Sequence, residues 1–286
     1  MKKIDTILAG LCLFFTLTLV LRLFVFPKTY NGKGENRVFL NPKFLPDLTE
    51  IILESGDNKI TLSKRDDIYV LSSDEGETFA DRDMVFRLLQ AFSREKTIFP
   101  VDDGTGEKYG ISGENSVKVI FKAADSEVLS LIFGNMDSLL EQIYFTIPGK
   151  TGIYKTDDDF SQFFFQRITF WADCHLIPAH KKFETDEVKT LTVAYPEEKL
   201  KAIENKDEFI KKLLSSRGGN LVPKASIGTD NIATCVEIVL TSNIEITLKF
   251  IPHYDGYAVV FQEKDSGFSP KSALEISEYT FNRIFN

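Results

Sequence analysis

The chain has 286 residues, of which 43% are hydrophobic and 27% are charged. That balance is typical of folded globular proteins and excludes a largely disordered chain. The formal net charge is −8, and Lys and Arg never occur in runs longer than two. The sequence therefore excludes proteins that bind nucleic acid or anionic headgroups through basic clusters.

An apolar run at residues 7–26 is broken by a single charge, Arg22. Twenty helical residues at about 1.5 Å each span roughly 30 Å, the thickness of the hydrocarbon core of a bilayer. Arg22 lies near the end of the run, where its side chain can reach the headgroups. Lys2 and Lys3 precede the run, with only Asp5 against them, which favours a cytoplasmic N-terminus. We predict a signal anchor at 1–27, with the rest of the chain outside the membrane.

Two alternatives concern processing of this run. A cleaved signal peptide needs small residues after the apolar core, but the run ends in Phe24, Val25 and Phe26. A lipoprotein would be lipidated at Cys12, where a small residue is expected just before the cysteine and Leu11 stands instead. The sequence therefore favours an uncut membrane helix over either alternative.

The remaining chain predicts a tether and three similar units. Prolines and glycines without periodicity predict a tether at 28–46. Short strands followed by an amphipathic helix then recur in units at 47–112, 113–180 and 181–286. Short turns between neighbouring strands indicate mostly antiparallel pairing. The predicted class is α+β, with one transmembrane helix followed by divergent repeats of strands plus a helix.

Helices are predicted at four places. Asp81 is the expected N-cap of the first, and Asn205 with Glu208 resembles a capping box before the third. Three consecutive acidic residues, Asp157–Asp159, are expected to open the second. Apolar residues at helical spacing predict the packed face of each helix: Val85, Leu88, Leu89 and Phe92; Phe160, Phe163, Phe164 and Ile168; Phe209, Ile210, Leu213 and Leu214; and Ile276, Tyr279 and Ile284.

No strong catalytic motif occurs. The chain lacks a nucleophile elbow, a zinc-protease helix, a phosphate-binding loop and a dinucleotide fingerprint, so we predict neither an enzyme nor a cofactor. Weak alternatives are a metal or hydrolytic site at Asp157–Asp159 or at Asp173, Cys174, His175 and His180, whose spacing matches no usual zinc pattern. Whether Cys174 pairs with Cys235 stays open at this point.

A ligand site is the other alternative for the body. Aromatic side chains at Tyr144, Tyr154, Phe170 and Trp171 could line an interaction surface for a cell-wall or exported molecule. For Trp171 the core is the favoured place. An exposed aromatic cleft would support the ligand site, whereas a buried Trp171 would remove its main support.

Several short motifs, in order, carry a family resemblance over nearly half of the chain. They are Ala80-Asp81, Leu88-Leu89, Tyr109-Gly110-Ile111, Leu131-Ile132-Phe133-Gly134, Tyr144-Phe145-Thr146-Ile147, Gly152-Ile153-Tyr154 and the stretch from Phe170 to Pro178. The segment they span resembles the bacterial envelope family called domain of unknown function 4340. The resemblance implies an accessory protein beside the permease and ATPase of a gliding-motility-type ABC transporter. It implies a body in the periplasm, anchored in the inner membrane, and no catalytic residues.

Overall fold

The computed structural model describes Leu11, Phe15, Thr16 and residues 33–285, except for 75, 105, 125, 138, 165–166, 195–204 and 229–230. The predicted anchor at 7–26 therefore lies almost entirely outside the described residues. In the part of the chain that is described, no helix is long and apolar enough to span a bilayer.

The first half of the body forms one open sheet of ten strands, all paired antiparallel, in the order β1-β6-β10-β9-β8-β7-β2-β3-β4-β5. In chain order the strands are β1 Glu35–Val38, β2 Leu48–Ser55, β3 Asn58–Arg65, β4 Ile68–Ser73, β5 Gly76–Phe79, β6 Glu95–Asp102, β7 Val117–Ala123, β8 Ser126–Asp137, β9 Gln142–Thr146 and β10 Ile153–Asp157. Strands β2 to β5 and β7 to β10 pair with their sequence neighbours across turns, whereas β1 and β6 are joined to the sheet by long-range pairing.

The second half forms an antiparallel sheet of six strands, in the order β11-β13-β14-β15-β16-β12. The strands are β11 Val188–Ala194, β12 Asn220–Pro223, β13 Thr234–Leu240, β14 Glu245–His253, β15 Gly256–Glu263 and β16 Ser272–Ser277. β13 and β14 form a hairpin around Asn243, which has the positive φ, 63°, that such turns favour.

Four α-helices pack on these sheets in the described residues: α1 Arg82–Ser93, α2 Ile168–Trp171, α3 Lys206–Ser215 and α4 Glu278–Phe285. Short 3-10 turns lie at Pro42–Phe44, Glu107–Tyr109, Ser161–Phe163, Ala179–Lys181, Thr185–Glu187 and Lys224–Ser226. Two predicted caps are confirmed. The Asp81 carboxylate accepts from the N–H groups of Asp83 and Met84, and the Asn205 side chain accepts from that of Glu208.

The main core lies between the ten-stranded sheet and α1. Phe92 of α1 is fully buried at its centre, with the rings of Phe121 and Phe160 at 4.8 Å and 4.7 Å. Leu40 joins this core, and its N–H bonds to the Phe92 carbonyl. A second core lies between the six-stranded sheet and the helices α3 and α4, and Phe79 of β5 belongs to it. The two halves therefore share buried apolar contacts.

The predicted α+β class with three repeated units is wrong. Strands make up 47% of the described residues and helices 23%, so the body is mostly antiparallel β, with two open sheets. β2 of the predicted first unit pairs with β7 of the predicted second unit along six residue pairs, from Leu48↔Ala123 to Glu54↔Lys118. The two predicted units are therefore one sheet, because the ladder that joins them cannot be divided.

Three smaller predictions also need correction. β1 and the buried Leu40 fall inside the predicted tether at 28–46, so the described part of that segment belongs to the body; residues 28–32 lie outside the described residues. The helix expected after Asp157–Asp159 ends early, since Phe164 has an extended backbone with ψ at 154°. Ile276 lies in β16, not in the last helix.

Candidate functional site

The predicted aromatic residues on β9 and β10 lie on opposite faces of the sheet. Tyr154 is paired with Phe145, whereas Tyr144 is paired with Lys155, and neighbouring side chains along a strand alternate between faces. Tyr154 stacks on Phe145 with ring centroids 5.5 Å apart. Tyr144 packs on Tyr109, at 4.8 Å, and burial raises the pKa of its hydroxyl, as does Asp137 nearby.

The other two predicted aromatic residues belong to the main core. Trp171 is fully buried, with the Phe170 ring perpendicular to it at 5.2 Å. Tyr144, Tyr154, Phe170 and Trp171 therefore do not form one aromatic surface. The ligand site expected at these residues loses its main support, since a buried indole cannot meet a ligand.

Two carboxylates of the acidic run Asp157–Asp159 bind groups of the same chain. Asp158 accepts hydrogen bonds from the N–H and hydroxyl of Ser161, at 2.8 Å and 2.5 Å. Asp159 forms an ion pair with the buried Lys96. No group of three or more His, Cys, Asp or Glu side chains that could hold a metal ion occurs in the described residues. The run therefore caps a turn and neutralises a buried cation.

A short strap, residues 171–176, joins the two sheets. The Trp171 carbonyl accepts from the Asp81 N–H, and the Asp173 N–H donates to Phe79 of β5. At its other end the strap bonds to the segment after α3, through the pairs Leu176–Ser216 and Gly218–Cys174. One six-residue stretch is thus hydrogen-bonded to both halves of the body.

The Asp173 carboxylate binds groups in the strap and in the turn that follows it. It is 6% exposed and accepts hydrogen bonds from Nδ1 and the backbone N–H of His175, at 2.6 Å and 3.1 Å, and from the Ala179 N–H, at 2.5 Å. A buried carboxylate with three donors is fully satisfied. This arrangement stabilises the turn after the strap.

A cleft of about 200 Å³ opens beside the strap. His180 lines it and packs on the Phe79 ring at 4.6 Å; burial lowers the pKa of this imidazole, and Lys181 adds to the effect. Cys174 lies within the strap, where burial and Asp173 raise the pKa of its thiol. A thiol held protonated is a poor nucleophile. Cys174 and Cys235 are both free, so they form no disulfide.

Three exposed apolar side chains lie on one hairpin loop, which we call the leucine loop. It spans residues 136–141, at the end of β8 and before β9, and residue 138 lies outside the described residues. Leu139 is 93% exposed, Leu140 56% and Met136 49%. Acidic residues, Asp137 and Glu141, flank the two leucines. An apolar tip with a charged rim is the usual arrangement of a protein contact site.

Hydrogen bonds fix the backbone of the leucine loop. The Asp137 side chain accepts from the Leu139 N–H at 3.2 Å, and its carbonyl accepts from the Leu140 N–H at 3.1 Å. The Glu141 carbonyl accepts from the Asp158 N–H at 2.9 Å. These hydrogen bonds hold the described residues on either side of position 138, while Leu139 and Leu140 face water.

The base of the leucine loop is also tightly packed. A Cβ added to Gly134 of β8 would collide with the carbonyl of Tyr109 and with Gly110. Only glycine allows the 3-10 turn at Glu107–Tyr109 to lie so close to β8. Leu139 and Leu140 thus extend from a closely packed base, and their backbone N–H groups bond to Asp137.

The sequence analysis missed the leucine loop. The available signal was a pair of leucines between Asp137 and Glu141, directly after a strand, where neither helical nor strand periodicity places them in a core. The exposure of these leucines depends on the hairpin between β8 and β9, which the sequence does not show directly.

No family model matches the chain, and no curated protein or solved structure is significantly similar to it. The resemblance to domain of unknown function 4340 thus stays a prediction, and the functional argument depends on the described residues.

Proposed function

We propose that this protein is a non-enzymatic, membrane-anchored interaction subunit whose body lies outside the cytoplasm and binds a partner protein through the leucine loop. The observation that carries the proposal is the exposure of Leu139, Leu140 and Met136 on a loop in which Asp137 binds the N–H groups of both leucines. Burial of one leucine side chain contributes about 1.5–3 kcal/mol. Two leucines at the tip and one methionine beside them give a partner a small, well-defined anchor.

The membrane location in this proposal is supported by the sequence alone. The apolar run at 7–26 has the length of a bilayer span, and Lys2 and Lys3 favour an N-terminus in the cytoplasm. The acidic composition of the chain makes nucleic acid an unsuitable partner.

The chemistry of the loop defines the partner surface. It needs an apolar pocket for Leu139 and Leu140, with basic residues at its rim to meet Asp137 and Glu141. The family resemblance suggests an ABC transporter as the complex to which the partner belongs. A body outside the inner membrane can contact the extracytoplasmic loops of a permease directly, and would associate with the ATPase only through that permease.

The test is purification of the full-length protein from native membranes in a mild detergent. We expect a multispan permease and an ATPase to copurify with the wild type and to be lost with the double variant Leu139→Ser/Leu140→Ser. Phe86→Ser is the matched control, because Phe86 is an exposed apolar residue on α1, away from the loop. Equal recovery of partners with both variants, or recovery of the wild-type protein alone, would contradict the proposal.

The alternative of a ligand-binding module for a cell-wall or exported molecule finds no support at its predicted residues, because Trp171 is buried and Tyr144 and Tyr154 face opposite ways. An enzyme at the Asp173 cleft is the third reading. Replacing Cys174 and His180 together should leave the cellular phenotype unchanged if the protein is not an enzyme.

A further inference from the structure

We propose that a groove at one end of the six-stranded sheet binds a neutral saccharide through two exposed tyrosines, Tyr254 and Tyr279. Neither tyrosine is among the four aromatic residues that the sequence predicts for a ligand site. The groove is separate from the leucine loop, so this inference goes beyond the proposed function. Its volume is about 510 Å³, within the range of roughly 300–1,000 Å³ that is common for ligand sites.

Three chain segments form the groove. They are the turn between β14 and β15, the end of β16 with the start of α4, and the stretch that leads into β12. The register brings them together, since Gly256 is paired with Ser277 and Asn220 with Glu275. Gly218 and Gly219 contribute backbone in place of side chains, and a Cβ on Gly219 would meet no atom within 4 Å. The space beside Gly219 is therefore open to a ligand.

Tyr254 lines the groove in an unusual conformation. It occupies the tip of the β14–β15 hairpin with φ at +46° and is 89% exposed. The left-handed region suits Gly, Asn or Asp, and a bulky side chain there costs about 1–2 kcal/mol. The chain thus holds an aromatic ring in water, on a strained backbone, at a position where Asn or Gly would be easier. Such an outlier is a reason to look for function.

Tyr279 is the second exposed ring. It is 75% exposed and follows the groove residue Ser277, whose hydroxyl accepts from the Thr280 N–H and so caps α4. The opposite face of α4 is fixed to the sheet, because Phe281 stacks on Tyr257 with centroids 3.8 Å apart. One turn beyond Tyr279, Arg283 donates to Ser216, next to the groove glycines. Tyr279 does not itself line the groove, but it lies between the lining residues Ser277 and Thr280 and shares a face of α4 with Arg283.

The polar lining fits hydroxyl groups. Asn220 Nδ2 donates to Glu275 Oε2 at 2.9 Å, which aligns an amide and a carboxylate side by side. That bond uses one oxygen of Glu275 and one hydrogen of Asn220, and the remaining donors and acceptors of both groups can bind adjacent hydroxyls. Charges of both signs, from Arg217, Asp255 and Glu275, line the groove, so it does not select an anion. Flat aromatic rings beside planar polar groups suit a sugar, which has an apolar C–H face and a polar edge.

An extended peptide is the rival occupant, and the lining disfavours it. A peptide recognised along a sheet edge needs backbone N–H and C=O groups to pair with, plus pockets for alternate side chains. β12 is only four residues long and ends in Pro223, which has no N–H to donate. The two exposed rings are also flat platforms and not pockets.

The test is calorimetric titration of the full-length protein in phospholipid nanodiscs, which avoids the sugar headgroups of common detergents. The probes are neutral tetrasaccharides of glucose, mannose and N-acetylglucosamine, with a tetrapeptide as the rival. We expect saturable binding of at least one saccharide. Tyr254→Asn and Tyr279→Ser should each weaken it about tenfold or more, whereas Phe86→Ser should leave it unchanged.

Tyr254→Asn is the decisive variant, because it removes the ring and relieves the strained φ at the same time. Its thermal midpoint should equal or exceed that of the wild type, so lost binding cannot be assigned to unfolding. The inference is overturned if no tetrasaccharide binds, if only the peptide binds, or if Tyr254→Asn binds like the wild type. Leu139→Ser/Leu140→Ser should bind the saccharide normally, so the two proposals fail independently.

Discussion

The strap at residues 171–176 buries a charged side chain, whereas the leucine loop at 136–141 exposes apolar side chains to water. In the strap, the carboxylate of Asp173 is buried, but three donors from the same chain satisfy it. In the loop, Leu139 and Leu140 face water, and no part of the described chain covers them. A buried polar group that finds all its hydrogen-bond partners in the same chain stabilises the fold. Exposed apolar side chains, by contrast, indicate a surface that binds a partner.

The largest effect is expected from the core beside the strap. Trp171→Ala removes a fully buried indole that packs on Phe170 and Phe163. We expect the free energy of unfolding to fall by about 3–5 kcal/mol, measured by urea unfolding of the full-length protein in detergent. A change under about 1 kcal/mol would show that this indole is not part of the core.

The next largest effect tests whether the Asp173 carboxylate stabilises the fold. Asp173→Ala removes a buried carboxylate and leaves its three donors without their acceptor, and we expect a loss of about 3 kcal/mol. Asp157→Ala is the matched control, since the same residue type is exposed there and should change stability by less than about 0.5 kcal/mol. Equal effects of the two substitutions would show that the carboxylate of Asp173 does not hold the strap.

A smaller effect should appear as a pH dependence beside the strap. Burial holds the pKa of folded His180 below its ordinary value of 6.5. Between the folded and the unfolded pKa the unfolded chain binds more protons, so stability rises with pH there and is lost as pH falls below about 6.5. Lys181 strengthens this effect, while Asp173 and Glu263 oppose it.

The variant His180→Phe keeps a ring against Phe79 but cannot titrate. Its stability, followed by thermal unfolding from pH 8 to pH 5, should fall less steeply than that of the wild type. The same slope in both proteins would assign the acid sensitivity in this range to groups other than His180. Glu77 acts outside this range, because the hydrogen bond from Lys271 lowers its pKa from the ordinary value of 4.5.

The smallest effect on stability is expected in the leucine loop. Leu139→Ser/Leu140→Ser should change the free energy of unfolding by less than about 0.5 kcal/mol, because neither side chain is buried in the isolated body. Urea unfolding of the double variant checks this. A large loss would mean that the leucines contribute to the fold, and the contrast with the strap would disappear.

Local chemistry made part of the fold predictable. The cap at Asp81 and the hairpin around Asn243 follow from residues within a few positions of each other. The ladder between β2 and β7 joins segments about seventy residues apart; periodicity shows that each is a strand but not which strand is its neighbour. The prediction of separate units failed for that reason.

The candidate sites were harder to predict because exposure depends on the whole fold. Trp171 and Tyr254 are both aromatic residues, yet one is fully buried and the other is 89% exposed. The exposure of Leu139 is equally hard to predict, because a leucine beside a strand is usually expected in the core. Only the sheet order decides which of these residues meets solvent.

The most direct test of the central claim is site-specific photo-crosslinking from position 139 in intact membranes. A photoreactive amino acid at 139 should give a defined adduct with one membrane protein, and the same probe at Phe86, which is also exposed, should not. An adduct at both positions, adducts with lipid only, or none at position 139 would contradict the assignment of the leucine loop as the partner-binding surface.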